Sequence, residues 1–197
     1  MKIIGITGGV GSGKSRVLSY MEEKFHATVC QADHVAWELQ KPESPCYAQI
    51  VAKFGKTVLR EDGAINRATL GKIVFESKER LDELNSIMHP AVKEEILARI
   101  DKEQRRGTNL FVLEAALLLE ANYAHICDEV WYIYADEMIR CQRLIKDRGY
   151  TDEKISAVMS AQLSDVSFRE QCQVVIDNGG DFKDTCYQID KALGEII

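Results

Sequence analysis

The stretch Gly8-Gly9-Val10-Gly11-Ser12-Gly13-Lys14-Ser15 follows the P-loop pattern of a glycine, four free positions and then Gly-Lys-Ser. In such a loop the backbone N–H groups turn inward around phosphate oxygens, and glycine recurs because side chains would block that approach. Residues 2–7 before the loop predict a short buried strand, and residues 16–25 after it predict a helix whose positive end faces the anion. The stretch therefore predicts a phosphate site, with a glycine-rich turn carrying a surface lysine as the alternative.

Two side chains of the loop have the chemistry that a nucleotide needs. We expect Lys14 to reach the β- and γ-phosphates and Ser15 to hold Mg²⁺ through its hydroxyl. The loop residues predicted to contact the nucleotide are Gly9, Gly11, Ser12, Gly13, Lys14 and Ser15.

Length, charge and cysteine usage restrict the class of protein. The 197 residues, 46% hydrophobic and 28% charged, are typical of a soluble globular protein with one sizeable core. A net charge of −6 argues against nucleic acid as the main partner, because polyanion binders usually carry a basic stripe. Six scattered cysteines favour a reducing, cytoplasmic location, and no apolar stretch is long enough for a signal peptide or a membrane span. Nothing in the sequence points to an obligate protein partner.

Further apolar runs predict a parallel sheet. They lie at residues 27–31, 110–114, 129–134 and 174–176. Because these strands alternate with helices behind a P-loop, we predict a three-layer α/β/α sandwich on a five-stranded parallel sheet.

Two carboxylates fall where the carboxyl ends of those strands open onto one crevice. Glu114 ends the third strand in the Walker-B position, where an acid helps to hold the metal. Asp33 follows the second strand, and from its position it is either a site residue or the N-cap of the next helix.

The segment of residues 34–106 contains no convincing strand and predicts a helical insertion. A parallel crossover needs only about a dozen residues, so the excess can form a subdomain that grips an acceptor. Within it His89-Pro90 predicts a break, with Pro90 opening a new helix. After the third strand, residues 115–120 predict the start of another helix.

A basic helix follows the fourth strand, with Arg140, Arg143 and Lys146 on one broad face. Basic helix faces are usually solvated, and that is one interpretation. The other is a lid that closes on ATP.

Together these features resemble the dephospho-CoA kinase family over nearly the whole chain. The matching residues are 6–15, Ala32-Asp33, 62–67, Leu70, Val74-Phe75, Met88-His89-Pro90, Leu117-Leu118, Glu120, Arg143, Ala161-Gln162 and 175–179. The loop alone indicates a phosphate binder, whereas the loop with Asp33 and His89-Pro90 at these spacings is far more specific.

The resemblance implies transfer of the γ-phosphoryl group of ATP to the ribose 3′-hydroxyl of dephospho-CoA, the last step of coenzyme A synthesis, with Mg²⁺ as cofactor. It implies one P-loop kinase domain over residues 1–197, an acceptor-binding insertion over 34–106 and a lid region over 138–170. By the family pattern Asp33 is the general base. The other residues with implied roles are Lys14 and Arg143 in catalysis, Arg67 and His89 in acceptor binding, and Ser15 and Glu114 in metal binding.

Several positions depart from the family pattern. Gln31 replaces an acid two residues before Asp33, and Arg16 stands where many members have threonine, so only the Arg16 N–H is assigned to phosphate. Glu114 replaces the more frequent aspartate, and Ala115-Ala116 replaces a common proline. The alternative function is another small P-loop kinase that acts on a nucleoside monophosphate or a small metabolite. A GTPase-type switch is disfavoured because no Asn-Lys pair occurs in the sequence.

Overall fold

The computed structural model describes residues 1–194 and contains the predicted sheet. Its strands are β1 (Lys2–Thr7), β2 (Thr28–Gln31), β3 (Leu110–Glu114), β4 (Glu129–Tyr134) and β5 (Val174–Asp177). They lie in the order β2-β3-β1-β4-β5, with β1 paired in parallel to β3 and β4, and β4 paired in parallel to β5. The predicted α/β/α sandwich on a five-stranded parallel sheet is confirmed.

Helices occupy most of the remaining chain. In order they are α1 (Lys14–Phe25), α2 (Ala32–Glu38), α3 (Pro45–Phe54), α4 (Arg67–Phe75), α5 (Lys78–Arg105), α6 (Glu137–Arg148), α7 (Asp152–Ser160), α8 (Asp165–Gln171) and α9 (Phe182–Gly194). Single 3₁₀ turns lie at Lys56–Val58 and Ala124–Ile126. Across residues 1–194, none of the helices combines the length and the apolar character that spanning a bilayer requires.

The chain divides into two compact units. The first, here called the P-loop unit, comprises Met1–Val29 and the chain from Glu103 onward, and the second, the inserted unit, comprises Cys30–Lys102. In the P-loop unit the central strands are buried on both faces, which is why they are continuous apolar runs in the sequence. Its core includes Ile4 and Ile6 of β1 and Trp131 of β4. Helices α1 and α9 contribute Val17 and Ile189 to the same core, and this packing fixes the carboxyl end of β1.

The predicted break at His89-Pro90 is wrong, because α5 continues through both residues. Proline has no N–H to donate to the carbonyl of Ser86, and in a helix interior this costs on the order of 3 kcal/mol. Burial offsets that cost, since each large apolar side chain removed from water contributes roughly 1.5–3 kcal/mol. The buried residues repeat every fourth position along α5 and are Met88, Val92, Ile96 and Ile100.

The predicted helix at residues 115–120 is also wrong. The chain there forms hydrogen-bonded turns, in which Ala121 N donates to Leu117 O at 2.8 Å and Tyr123 N donates to Leu118 O at 2.9 Å. Asn122 adopts a φ of 56°, a left-handed conformation that ends a helical run. Leu118 is fully buried, so its side chain fixes this segment to the protein interior before the chain turns.

Candidate active site

The glycine loop connects β1 to α1, as predicted, and the geometry requires glycine at Gly8 and Gly13 among others. Gly8 has a φ of 149° and Gly13, the N-cap of α1, a φ of 87°. A Cβ atom on Gly8 would lie 2.5 Å from the carbonyl oxygen of Ile133, and one on Gly13 would lie 2.3 Å from Nδ2 of Asn178. Any side chain at either position would therefore displace the neighbouring strand or loop.

Lys14 lies over this loop. Its Nζ donates a hydrogen bond to the Gly8 carbonyl at 2.8 Å and is 3.8 Å from Oε1 of Glu114. Both side chains are largely buried, with exposed fractions of 15% and 8%. The structure thus brings together the lysine and the strand-end acid that the sequence predicted for one site.

Three side chains from later parts of the chain, one on α6 and two in connecting segments, hold the loop from outside. Gln162 Oε1 accepts from Val10 N at 3.0 Å, and Asn178 Nδ2 donates to the Ser12 carbonyl at 2.7 Å. Arg143 Nη1 lies 3.3 Å from that same Ser12 oxygen, and its Nη2 donates to the Asn178 carbonyl at 2.7 Å. We call Arg143, Gln162 and Asn178 the brace of the loop.

The brace contains one predicted site residue and two residues to which the sequence assigned no role. Arg143 was predicted as a catalytic lid residue, and its guanidinium lies on backbone carbonyls; a contact with phosphate therefore stays a prediction. Asn178 and Gln162 belong to the family pattern, yet the sequence assigned no role to either. Asn178 is 3% exposed and its Oδ1 accepts from Thr185 Oγ1 at 3.1 Å, so its amide is oriented from both sides.

Arg140 was missed as a site residue, although its basic helix was noted. Its guanidinium lies against the backbone of Gly9, where an added Cβ would be only 1.8 Å from Nη1. Within the described residues, three buried polar atoms here have no hydrogen-bond partner: Arg140 Nε, Ser12 Oγ and Thr7 Oγ1. Buried polar groups normally find partners, so these atoms mark a place suited to a polar ligand.

Ser15 and Arg16, the two residues after Lys14, differ in their surroundings. Ser15 is exposed in the first turn of α1. The guanidinium of Arg16 lies 3.8 Å above the ring of Phe182, and its N–H donates to Gly13 O at 3.1 Å. The predicted contact of the Arg16 N–H with phosphate remains a prediction.

The oxygen donors predicted for a metal are few. In residues 1–194 no group of three or more His, Cys, Asp or Glu side chains could enclose an ion. The hydroxyl of Ser15 and the carboxylate of Glu114 remain as donors, which suits Mg²⁺, because this ion keeps several waters and binds substrate phosphates.

Asp33 lies in the inserted unit, exposed in the first turn of α2. The N-cap of that helix is Gln31, whose side chain makes no capping hydrogen bond. The capping interpretation of Asp33 is therefore wrong, since the residue already lies inside the helix. An exposed carboxylate at a helix start remains available to an acceptor hydroxyl.

A cavity of about 490 Å³ in the inserted unit contains Arg67, one of the two predicted acceptor-binding residues. The Arg67 guanidinium lies 4.3 Å above the ring of Trp37, and His34 contacts the same ring edge-on with centroids 5.4 Å apart. His89 is exposed on α5 and does not line this cavity. The structure thus pairs Arg67 with an aromatic residue that the sequence analysis did not single out.

Known proteins resemble this chain over nearly its whole length. The sequence model of the dephospho-CoA kinase family matches residues 2–184. A dephospho-CoA kinase of Shouchella clausii is 38% identical over 192 residues, covering 98% of this chain and 97% of that protein. One from Carboxydothermus hydrogenoformans is 39% identical over 189 residues, covering 96% and 91%. Among solved structures, TT1252 from Thermus thermophilus superposes with a TM-score of 0.85 at 24% identity, covering 100% of this chain and 98% of that one, which shows the fold.

Proposed function

Because the chain belongs to the dephospho-CoA kinase family, we propose that it transfers the γ-phosphoryl group of ATP to the ribose 3′-hydroxyl of dephospho-CoA and so completes coenzyme A. The observation that carries this proposal is the braced glycine loop with Lys14 above it. In the reaction the 3′-oxygen bonds to the γ-phosphorus, the bond from that phosphorus to the β–γ bridging oxygen breaks, and ADP leaves.

The nucleotide side of the mechanism rests on electrostatics. The N-terminal end of α1 and the backbone of the glycine loop favour the triphosphate, and Lys14 neutralises charge as the γ-phosphoryl group moves. Donors fixed in advance stabilise a transition state without reorganising during the reaction. The buried contacts of Lys14 with Gly8 and of Asn178 with Ser12 support such preorganisation.

Mg²⁺ is part of this proposal. We assign the Ser15 hydroxyl and the Glu114 carboxylate to it, the latter directly or through a water molecule. When bound, the ion neutralises phosphate charge that Lys14 alone does not balance.

The acceptor side of the mechanism is assigned to the inserted unit. Asp33 orients the 3′-hydroxyl and takes its proton as the new bond to phosphorus forms. Arg67 and His89 are proposed to hold other parts of dephospho-CoA. The exposure of Asp33 and the cavity beside Arg67 support residues 34–106 as the acceptor-binding insertion.

Residues 138–170 are proposed as the lid region. Arg140 and Gln162 come from it and already contact Gly9 and Val10 of the loop, which supports a role close to the phosphates. Arg143 is retained as a catalytic residue, acting on the loop and, after closure, on phosphate.

We also propose a cytoplasmic location. All six cysteines lie in the described part of the chain and are free thiols there, which agrees with a reducing compartment.

Acceptor specificity tests the function. ADP release is measured with saturating Mg-ATP and dephospho-CoA, AMP, CMP, shikimate or pantothenate, and a new 3′-phosphate is detected by ³¹P NMR. We expect kcat/KM for dephospho-CoA to exceed that for every other acceptor by roughly 100-fold or more. A preference for AMP, CMP or shikimate would establish the alternative, another small P-loop kinase. Removal of Mg²⁺ with EDTA should abolish turnover, and undiminished activity would refute the metal assignment.

A further inference from the structure

Two neighbouring cavities in the inserted unit share one residue, Arg67. The first is the cavity of about 490 Å³ described above, between α2 and the start of α4. The second, of about 460 Å³, lies along α4, from Arg67 to Phe75 and Glu76. Arg67 lines both, so the two cavities adjoin at this residue.

The first cavity is cationic. Lys41, Arg60 and Arg67 line it. Glu38 is the acid among its lining residues, and its carboxylate is ion-paired with Arg99, which holds the pKa of Glu38 below its usual value. Arg60 is itself paired with Asp62 at 3.7 Å, at exposed side chains, so Lys41 and Arg67 leave the lining with a net positive charge even when both ion pairs are counted. Such a site favours a polyanion such as a diphosphate.

Trp37 positions one of these cations. Its ring lies under the Arg67 guanidinium at 4.3 Å, a cation–π contact that restricts the rotamers of the arginine. Trp37 also follows Asp33 by four residues on α2, so the two side chains project from the same face one turn apart. A ribose held at Asp33 therefore has its neighbouring phosphates close to the cavity that Trp37 lines.

The second cavity exposes mainly apolar atoms, from Ala68, Gly71, Phe75 and the stems of the charged residues Arg67, Lys72 and Glu76 that also line it. Arg67, Gly71 and Phe75 follow each other at four-residue spacing on one face of α4. Phe75 is 85% exposed, and a Cβ built on Gly71 would make only ordinary contact with the Phe75 ring, at 3.9 Å. Gly71 thus leaves a shallow floor, and Phe75 forms a wall for a slender, partly apolar chain.

We infer that the cationic cavity binds the 5′-diphosphate of dephospho-CoA and that the α4 face binds its pantetheine arm, with Arg67 where the two parts of the acceptor join. This inference rests on the proposed function. The order of groups agrees, because the acceptor runs from ribose through the diphosphate to pantetheine, as the site runs from Asp33 through Arg67 to Phe75. The geminal methyl groups of pantetheine are the apolar element that suits the Phe75 ring.

Titration calorimetry with two ligands distinguishes the contributions of the two cavities to binding. Dephospho-CoA and ADP-ribose share an adenosine 5′-diphosphate, but ADP-ribose has a ribose in place of pantetheine. Both are titrated into protein whose P-loop is filled with a non-hydrolysable ATP analogue and Mg²⁺. The variants are Arg60→Ala and Phe75→Ala, each at an exposed side chain. Matched controls are Lys56→Ala, which removes an equal charge outside both cavities, and Leu97→Ala, which removes an exposed apolar side chain of α5.

We expect Arg60→Ala to weaken both ligands by a similar factor, about tenfold, because a charge-assisted contact with phosphate is lost in each. Phe75→Ala should weaken dephospho-CoA about fivefold and ADP-ribose less than twofold. Both controls should change either affinity less than twofold. Trp37→Ala should reproduce the loss seen in Arg60→Ala, while Trp37→Phe, which keeps a ring beneath Arg67, should recover most of it.

The outcomes separate failure of the proposed function from failure of the cavity assignment. If the wild-type protein neither binds nor phosphorylates dephospho-CoA, the proposed function fails. If it does both, but Arg60→Ala and Phe75→Ala behave like their controls, the function stands and the assignment of the two cavities is overturned. Failure of ADP-ribose to bind the wild-type protein contradicts the diphosphate site, and equal losses of both ligands in Phe75→Ala contradict the pantetheine site.

Discussion

Replacing Arg143 by alanine removes the central member of the brace. The lost contacts are one short hydrogen bond to the Asn178 carbonyl at 2.7 Å and two longer ones, to Ser12 O at 3.3 Å and Gly11 O at 3.4 Å. Hydrogen bonds from a charged donor contribute about 1.5–3 kcal/mol, and long ones contribute less. We therefore expect Arg143→Ala to lower the free energy of unfolding by about 2–3 kcal/mol. For a chain of this size that corresponds to a fall in Tm of about 4–12 °C.

The measurement is thermal melting of the nucleotide-free protein, followed by kinetics. Because the loop loses its fixed shape before ATP arrives, KM for ATP should rise together with the fall in Tm. Arg143→Lys should recover little, since one ammonium group cannot reach carbonyls in the planar fork that a guanidinium offers. Arg148→Ala, at the exposed end of the same helix, serves as the control and should melt like the wild type.

An unchanged Tm with an unchanged KM for ATP, accompanied by a large fall in kcat, would refute this reasoning. That pattern would show that Arg143 leaves the loop and acts on phosphate only after closure.

Three further predictions address other groups. Asp33→Asn should lower kcat by roughly 10²- to 10⁴-fold while Tm and KM for ATP hold, because a general base is lost and the shape is kept; wild-type kcat at saturating Mg²⁺ would show that Asp33 is not the base. Lys14→Ala should lower kcat by roughly 10²- to 10³-fold with an unchanged circular dichroism spectrum, and near-normal turnover would contradict the assignment of the loop. Burial raises the pKa of the Cys172 thiol to about 11 and that of Cys127 to about 12, from an ordinary value of 9.0. Both thiols therefore stay protonated in the folded chain, so the urea midpoint should fall as pH rises above 9, and a flat profile would refute the burial of these thiols.

The sheet and the loop were predictable because their determinants are local. A parallel strand covered on both faces is an unbroken apolar run, and β3 and β4 have the bounds that their runs predicted. The P-loop was recognisable because its glycines, its lysine and its serine lie within eight consecutive residues. The pairing of Lys14 with Glu114 followed from the rule that parallel strands end at one edge.

What could not be predicted depends on partners distant in sequence. Asn178 lies 166 residues from Ser12, and Gln162 lies 152 residues from Val10, so no local pattern couples them. Pro90 is a similar case, because the local rule that proline opens a helix was outweighed by burial along the rest of α5. Trp37 was missed since a lone tryptophan is usually core, and only its 46% exposure beside Arg67 revealed it.

The position of β1 in the sheet has a consequence for synthesis on the ribosome. β1 leaves the ribosome well before β3 and β4, its two neighbours in the sheet, and the last side chain of the brace arrives only with Asn178. A nascent chain that has been synthesised as far as residue 150 would possess the whole glycine loop but neither Gln162 nor Asn178 to hold it in place. The ability to hold a nucleotide is therefore gained only after residue 178 has been synthesised, and a product truncated before it, with an intact P-loop motif, would not compete for ATP.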